Sequence, residues 1–148
     1  MRHLRSDLHA ADLPQVYRGG FVLGHEFSGR VVATSDDVSG WSVGERVALN
    51  PNGNIDRTCE FWLVGRTNFC HQATMETALG FQSDGGLEPF VVVSPKTLRR
   101  VPEGAGRFEA AWVEPTATAL RAVRLAGSVA GRKVLVTGGG QSVSSPAG

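Results

Sequence analysis

The sequence predicts a mainly β front part that gives way, after Pro102, to a helix and a strand in α/β order. Nineteen glycines in 148 residues separate short apolar runs, the spacing of many turns between short strands. Alanines and other apolar residues recur at helical spacing from Ala110 to Ala126. A short apolar run, Val134, Leu135 and Val136, then leads straight into Gly138, Gly139 and Gly140.

Residues 22–34, with the β-branched pair Val31 and Val32, are expected as a strand. Asp36, Asp37, Ser39 and Gly40 mark a turn, and Gly44 leads into a second strand over 46–49, which makes a hairpin. From Pro51 to about Gly80 regular periodicity disappears while Pro, Asn, Gly, Asp and Thr accumulate. A loop of that length calls for a function or a metal. Asp84, Gly85 and Gly86 form the next turn. Residues 88–94, with Val91, Val92 and Val93, are expected as a strand covered on both faces. Ala110, Ala111, Val113, Ala117, Leu120, Ala122, Val123 and Ala126 predict a helix in which Pro115 marks a kink or a new start and Gly127 a stop.

Composition narrows the function. Lys+Arg 15 against Asp+Glu 14 leaves a formal net charge of +1 spread along the chain, without the basic footprint of a nucleic-acid or anionic-membrane partner. No apolar run approaches the roughly 20 residues of a membrane span, and the first residues lack the apolar segment of a signal peptide. A cytoplasmic setting is expected. Two cysteines, Cys59 and Cys70, are too few for a secreted disulfide framework and leave reduced thiols or a metal site.

Gly24, His25 and Glu26 put an imidazole beside a carboxylate, a pair that serves either a structural role or a metal. Ser6, Asp7 and His9 lie upstream, and Glu114 with Pro115 sits where β gives way to helix. The 134–136 run followed by Gly138 and Gly140 has the order in which a dinucleotide-binding unit opens.

Seven stretches in one order then carry a resemblance: Arg5 to His9, Val22 to Glu26, Val43 to Val47, Gly65 to Cys70, Asp84 to Gly86, Val113 to Pro115 and Val134 to Gly138. On these residues the chain resembles the zinc-dependent medium-chain alcohol and polyol dehydrogenases. The resemblance implies a GroES-like catalytic barrel over 1–115, N-terminally truncated, and the first helix and strand of an incomplete Rossmann domain over 116–148. It implies an oxidoreductase that transfers hydride between a secondary alcohol or polyol and NAD or NADP. His25 and Glu114 would be ligands of the catalytic Zn2+, and Glu26 an adjacent acid able to approach it. Asp7 would orient His25, and Ser6 and His9 would relay the alcohol proton. Gly138 and Gly140 would face the cofactor. Asp56, Cys59 and Cys70 fall where many members hold a structural zinc. The implied partner is a small alcohol or polyol, in a chain able to form a homo-oligomer.

Several positions depart from that pattern. Leu4 stands where a cysteine ligand is expected, and Trp62, which has no donor for a metal, where a structural cysteine is expected. Val143 replaces the third glycine of the dinucleotide fingerprint, and Pro146 disfavours the helix that should come next. One-base shifts in the reading frame at either end would restore a cysteine at position 4 and Gly-Pro-Ile-Gly after the glycine pair. The chain is accordingly read as a truncated catalytic domain. The alternative is a catalytically inactive remnant or non-catalytic binding barrel. On either reading the apolar face of the 110–126 helix is expected to be exposed and the chain to self-associate. A zinc-free quinone reductase fits less well, because His25, Cys59, Cys70 and Glu114 occur together.

Overall fold

The computed structural model describes residues 20–52, 58–66, 69–71, 78–81 and 83–137. Its centre is a three-stranded antiparallel sheet in the order β1 (Ser28–Arg30), β2 (Arg46–Leu49), β3 (Leu98–Arg100). Ser28 pairs with Ala48 across the first ladder, and Ala48 with Arg99 across the second. The predicted hairpin is therefore present. Its strand is shorter than residues 22–34, although Val31 extends the pairing by donating to the Glu45 carbonyl and accepting from the Gly44 amide.

β2 is the buried centre, with Val47, Ala48 and Leu49 all enclosed. An apolar triplet in a central strand loses water on both faces, which is the main stabilising contribution in so small a core. Arg46 stays half-buried because its guanidinium donates to the Ala105 carbonyl.

Residues 88–94 differ from expectation. They form no strand, Phe90 is exposed and Val92 is 97% exposed. Among the described residues no segment offers them a ladder, and a valine run without a partner strand has no backbone pairing to hold it. The strand falls instead at β3, after a 3-10 turn over Pro95–Thr97 in which the Ser94 hydroxyl accepts the Lys96 amide. Thr97 is buried and donates its hydroxyl to the Ser94 carbonyl.

In the long loop, α1 (Glu60–Leu63) is a single turn that follows Cys59. Phe61 packs near Phe69 and edge-on to His71, and the Arg66 guanidinium lies 4.7 Å from the Phe69 centroid.

The helical part comes in two pieces, α2 (Arg107–Ala111) and α3 (Val113–Ala126). Trp112 separates them, so Pro115 falls in the first turn of a new helix, where its missing N–H leaves no bond unmade. Gly127, at φ 79°, ends α3 as expected. Ala110 anchors α2 against the sheet. Leu120, Val123 and Leu125 of α3 remain exposed. Val134, Leu135 and Val136 are exposed as well and make no strand, since the described residues provide no neighbouring strand to pair with. No helix among the described residues is long and apolar enough to cross a membrane.

Candidate metal centre

The segment before β1 is held by backbone hydrogen bonds to residues 84–87. The Gly85 amide donates to Val22, the Leu87 amide to Leu23 and the Gly86 amide to Gly24, at 2.7, 3.0 and 2.8 Å. The Asp84 carboxylate adds a fourth bond by accepting the Val22 amide at 3.0 Å. Gly24 has φ 99°, a backbone conformation that disfavours any side chain, and turns the chain so that His25 follows into the interior.

Two other glycines make that passage close. A Cβ on Gly80 would stand 2.5 Å from the Gly24 carbonyl oxygen, and one on Gly85 would overlap the same atom. Only glycine lets the three backbones approach this way.

His25 is 8% exposed, and its ring lies 4.4 Å from that of Phe81. Glu26 is next in sequence and half-buried. Glu114 is half-buried too and arrives from the first turn of α3, a position set by the break at Trp112. One ligand atom from each of His25, Glu26 and Glu114 lies within 4.8 Å of the other two. Two carboxylates this close repel when both are ionised, and a cation between them removes that repulsion. One imidazole nitrogen with two carboxylate oxygens suits a divalent metal and leaves coordination positions open, the condition of a catalytic rather than a structural zinc. The three residues therefore fit the group that the sequence led us to expect.

The remaining candidates are placed differently. Ser6, Asp7, His9, Asp56, Gly138 and Gly140 lie outside the described residues. Cys59 is half-buried at the start of α1 and Cys70 is buried; among the described residues neither joins a metal-sized group of three donors. A cavity of about 300 Å³, lined by Ser28, Arg46, Arg107 and neighbours, shares no residue with the His25 group. Phe81, Gly80 and the clamp at 84–87 escaped sequence reasoning. Asp84, Gly85 and Gly86 were legible as a turn, but nothing in the sequence tells which backbone a turn will grip.

A buried imidazole joined by two carboxylates, one beside it in sequence and one brought in by a later helix, defines a candidate metal-dependent catalytic domain. The chain belongs to the alcohol dehydrogenase GroES-like domain family, which it matches over residues 2–103. It is 32% identical over 135 residues to a sorbitol dehydrogenase from Halalkalibacterium halodurans, covering 91% of this chain and 38% of that protein. It is 37% identical to sorbitol dehydrogenase 1 of Saccharomyces cerevisiae, covering 84% of this chain and 34% of that one. Among solved structures, a protein assigned as a zinc-binding dehydrogenase from Sinorhizobium meliloti 1021, bound to NADP, superposes with a TM-score of 0.71 at 29% identity, covering 84% of this chain and 35% of the other. The chain thus spans little more than a third of the length of the relatives it matches. The family and the GroES-like fold expected from the sequence are both established by these matches.

Proposed function

We propose that this chain is the catalytic-domain portion of a zinc-dependent oxidoreductase that converts a secondary alcohol or polyol to a carbonyl with NAD or NADP. The observation that carries the reading is the convergence of His25, Glu26 and Glu114 within 4.8 Å. The sorbitol dehydrogenase relatives support a polyol as the substrate class.

In this reading residues 1–115 form the catalytic domain and 116–148 the beginning of the dinucleotide-binding domain. Zinc, when bound, supplies Lewis acidity that lowers the pKa of an alcohol hydroxyl. His25 and Glu114 would hold the metal, and Glu26, whose carboxylate lies within 4.8 Å of both, would be an adjacent acid able to approach it. Phe81 covers one face of the His25 ring, which keeps water from that side and restricts the imidazole's orientation. By the family resemblance Ser6 and His9 would pass the alcohol proton outward, Asp7 would orient His25, and Gly138 and Gly140 would serve the cofactor. Cys59, Cys70 and Asp56 belong to the second, structural lobe. Cysteine usage fits a cytoplasmic protein, and a homo-oligomer fits the exposed apolar face of α3.

The test has two parts. Zinc binding is followed by calorimetry on the chain and on His25→Ala, and oxidation of sorbitol and xylitol is followed with NAD and with NADP. Binding that depends on His25, together with cofactor reduction, supports the proposal. Because this reading gives the chain only the beginning of its cofactor domain, turnover is measured after fusion to the dinucleotide-binding domain of a sorbitol dehydrogenase relative. Binding without turnover in that fusion favours the inactive remnant, a reading the sequence itself favours at Leu4. Absence of zinc binding overturns the metal centre.

A further inference from the structure

Resting on the metal centre proposed above, we infer that Asp84 is a positioning residue for His25 and Glu26, acting through the backbone of residues 22–24. Four hydrogen bonds tie residues 84–87 to 22–24, and three of them are main chain to main chain. Those three survive most substitutions. The fourth is the only one that a side chain makes, from the Val22 amide to the Asp84 carboxylate at 3.0 Å.

A backbone N–H bonded to a carboxylate is stronger than a neutral pair. Here it anchors the first residue of the clamped strip, so it sets where the strip begins. Beyond Val22 the strip has little slack. Gly24 is buried, with Gly80 and Gly85 so close to its carbonyl that neither can carry a Cβ without moving the chain. A shift at Val22 is therefore transmitted along two residues to Gly24 and then to the His25 imidazole, which is wedged against Phe81 at 4.4 Å. Asp84 is itself exposed and is not one of the metal-sized group. Among the described residues its hydrogen bond is to the Val22 amide, so its influence passes through the strip.

The experiment separates this inference from the metal reading on which it rests. Aromatic proton shifts of His25 are recorded by NMR in the metal-free chain, where the ring current of Phe81, tilted at 38° to the imidazole, marks the packed position. Zinc affinity is measured by competition with a chelator. The variants are Asp84→Ala, Asp84→Asn, which keeps an acceptor oxygen, and Trp41→Ala as a destabilised control whose ring packs on Arg100. In Asp84→Ala the His25 shifts move toward those of a free imidazole and zinc affinity falls by about 10-fold, the low end for loss of a group that orients a ligand. Asp84→Asn restores most of both. Trp41→Ala loses stability with neither change.

His25 shifts in Asp84→Ala equal to those of the parent chain overturn the inference, and so does a Trp41→Ala variant that moves them equally. Should Asp84→Ala fail to fold, the shifts in Asp84→Asn and Asp84→Ser are compared, with serine expected to lie nearer the displaced position. A parent chain that binds no zinc overturns the metal centre, while the shifts in metal-free protein still decide the role of Asp84.

Discussion

His25, which precedes the first strand, and Glu114, in the first turn of α3, present ligand atoms within 4.8 Å of each other. A cation or a proton between the buried imidazole and the two half-buried carboxylates would offset the desolvation of those charges.

Removing either ligand should weaken zinc binding more than removing a group that only orients one. Loss of an orienting group costs roughly 10- to 100-fold, so His25→Ala and Glu114→Gln are each expected to lower affinity by about 100-fold or more. Isothermal titration with zinc measures it directly. Unchanged affinity in both variants would place the metal elsewhere.

If the proposed metal centre holds zinc, zinc should also raise thermal stability, because a ligand that binds only the folded state shifts the equilibrium toward it. At free zinc about 100 times the Kd the added stability is about 2.7 kcal/mol. Differential scanning calorimetry should show a higher melting temperature with zinc, reversed by chelator and absent in His25→Ala.

Gly80 and Gly44 both have positive φ, 79° and 93°, yet they should respond differently to alanine. At Gly44 nothing lies within 4 Å of the new Cβ, so only backbone strain of about 1–2 kcal/mol is expected. At Gly80 the Cβ meets the Gly24 backbone, which cannot rotate away, and overpacking adds about 1–3 kcal/mol. Urea denaturation of the two variants compares these losses, and equal values would mean that residues 22–24 yield easily.

The Arg100 guanidinium sits 4.4 Å from the Trp41 centroid, donates to the Gly40 carbonyl and lies 3.4 Å from Glu45. Its side chain is 60% exposed, so the ring contact is worth about 0.5–1 kcal/mol. A double-mutant cycle with Trp41→Ala and Arg100→Ala should return a coupling energy of that size. A coupling near zero would assign Arg100 to its carbonyl and Glu45 bonds alone.

At the hairpin turn, the Ser35 hydroxyl and then the Asp37 backbone amide hold the Asp37 carboxyl below its ordinary value. A depressed folded-state pKa contributes stability above the unfolded value and loses it as pH falls through the folded one. The turn is thus expected to loosen only under acid, below the usual carboxylate range. Ser35→Ala should raise the Asp37 midpoint in an NMR titration; an unmoved midpoint would leave the backbone as the sole cause.

Much of the site was legible because its chemistry is local in sequence. His25 and Glu26 are adjacent, and Glu114 is marked by the proline that starts its helix. The hairpin was legible too, since Gly40 and Gly44 punctuate it and the buried triplet Val47, Ala48 and Leu49 announces a central strand. Residues 88–94 misled because an apolar β-branched run signals extended backbone without saying whether a partner strand exists. In this chain Val92 is nearly fully exposed, and β3 lies beyond Pro95. The 134–136 run failed for the same reason.

The order of seven short motifs carried the resemblance to the family, and residue types fixed the ligand atoms on offer and the turns, because donor chemistry and glycine's backbone freedom are properties of single positions. Only the tertiary structure decided that Asp84 grips Val22, that Gly80 and Gly85 close on Gly24, and that Phe81 covers His25. Those contacts join segments far apart in the chain. Their geometry comes from how backbones pack in three dimensions, which no local pattern encodes.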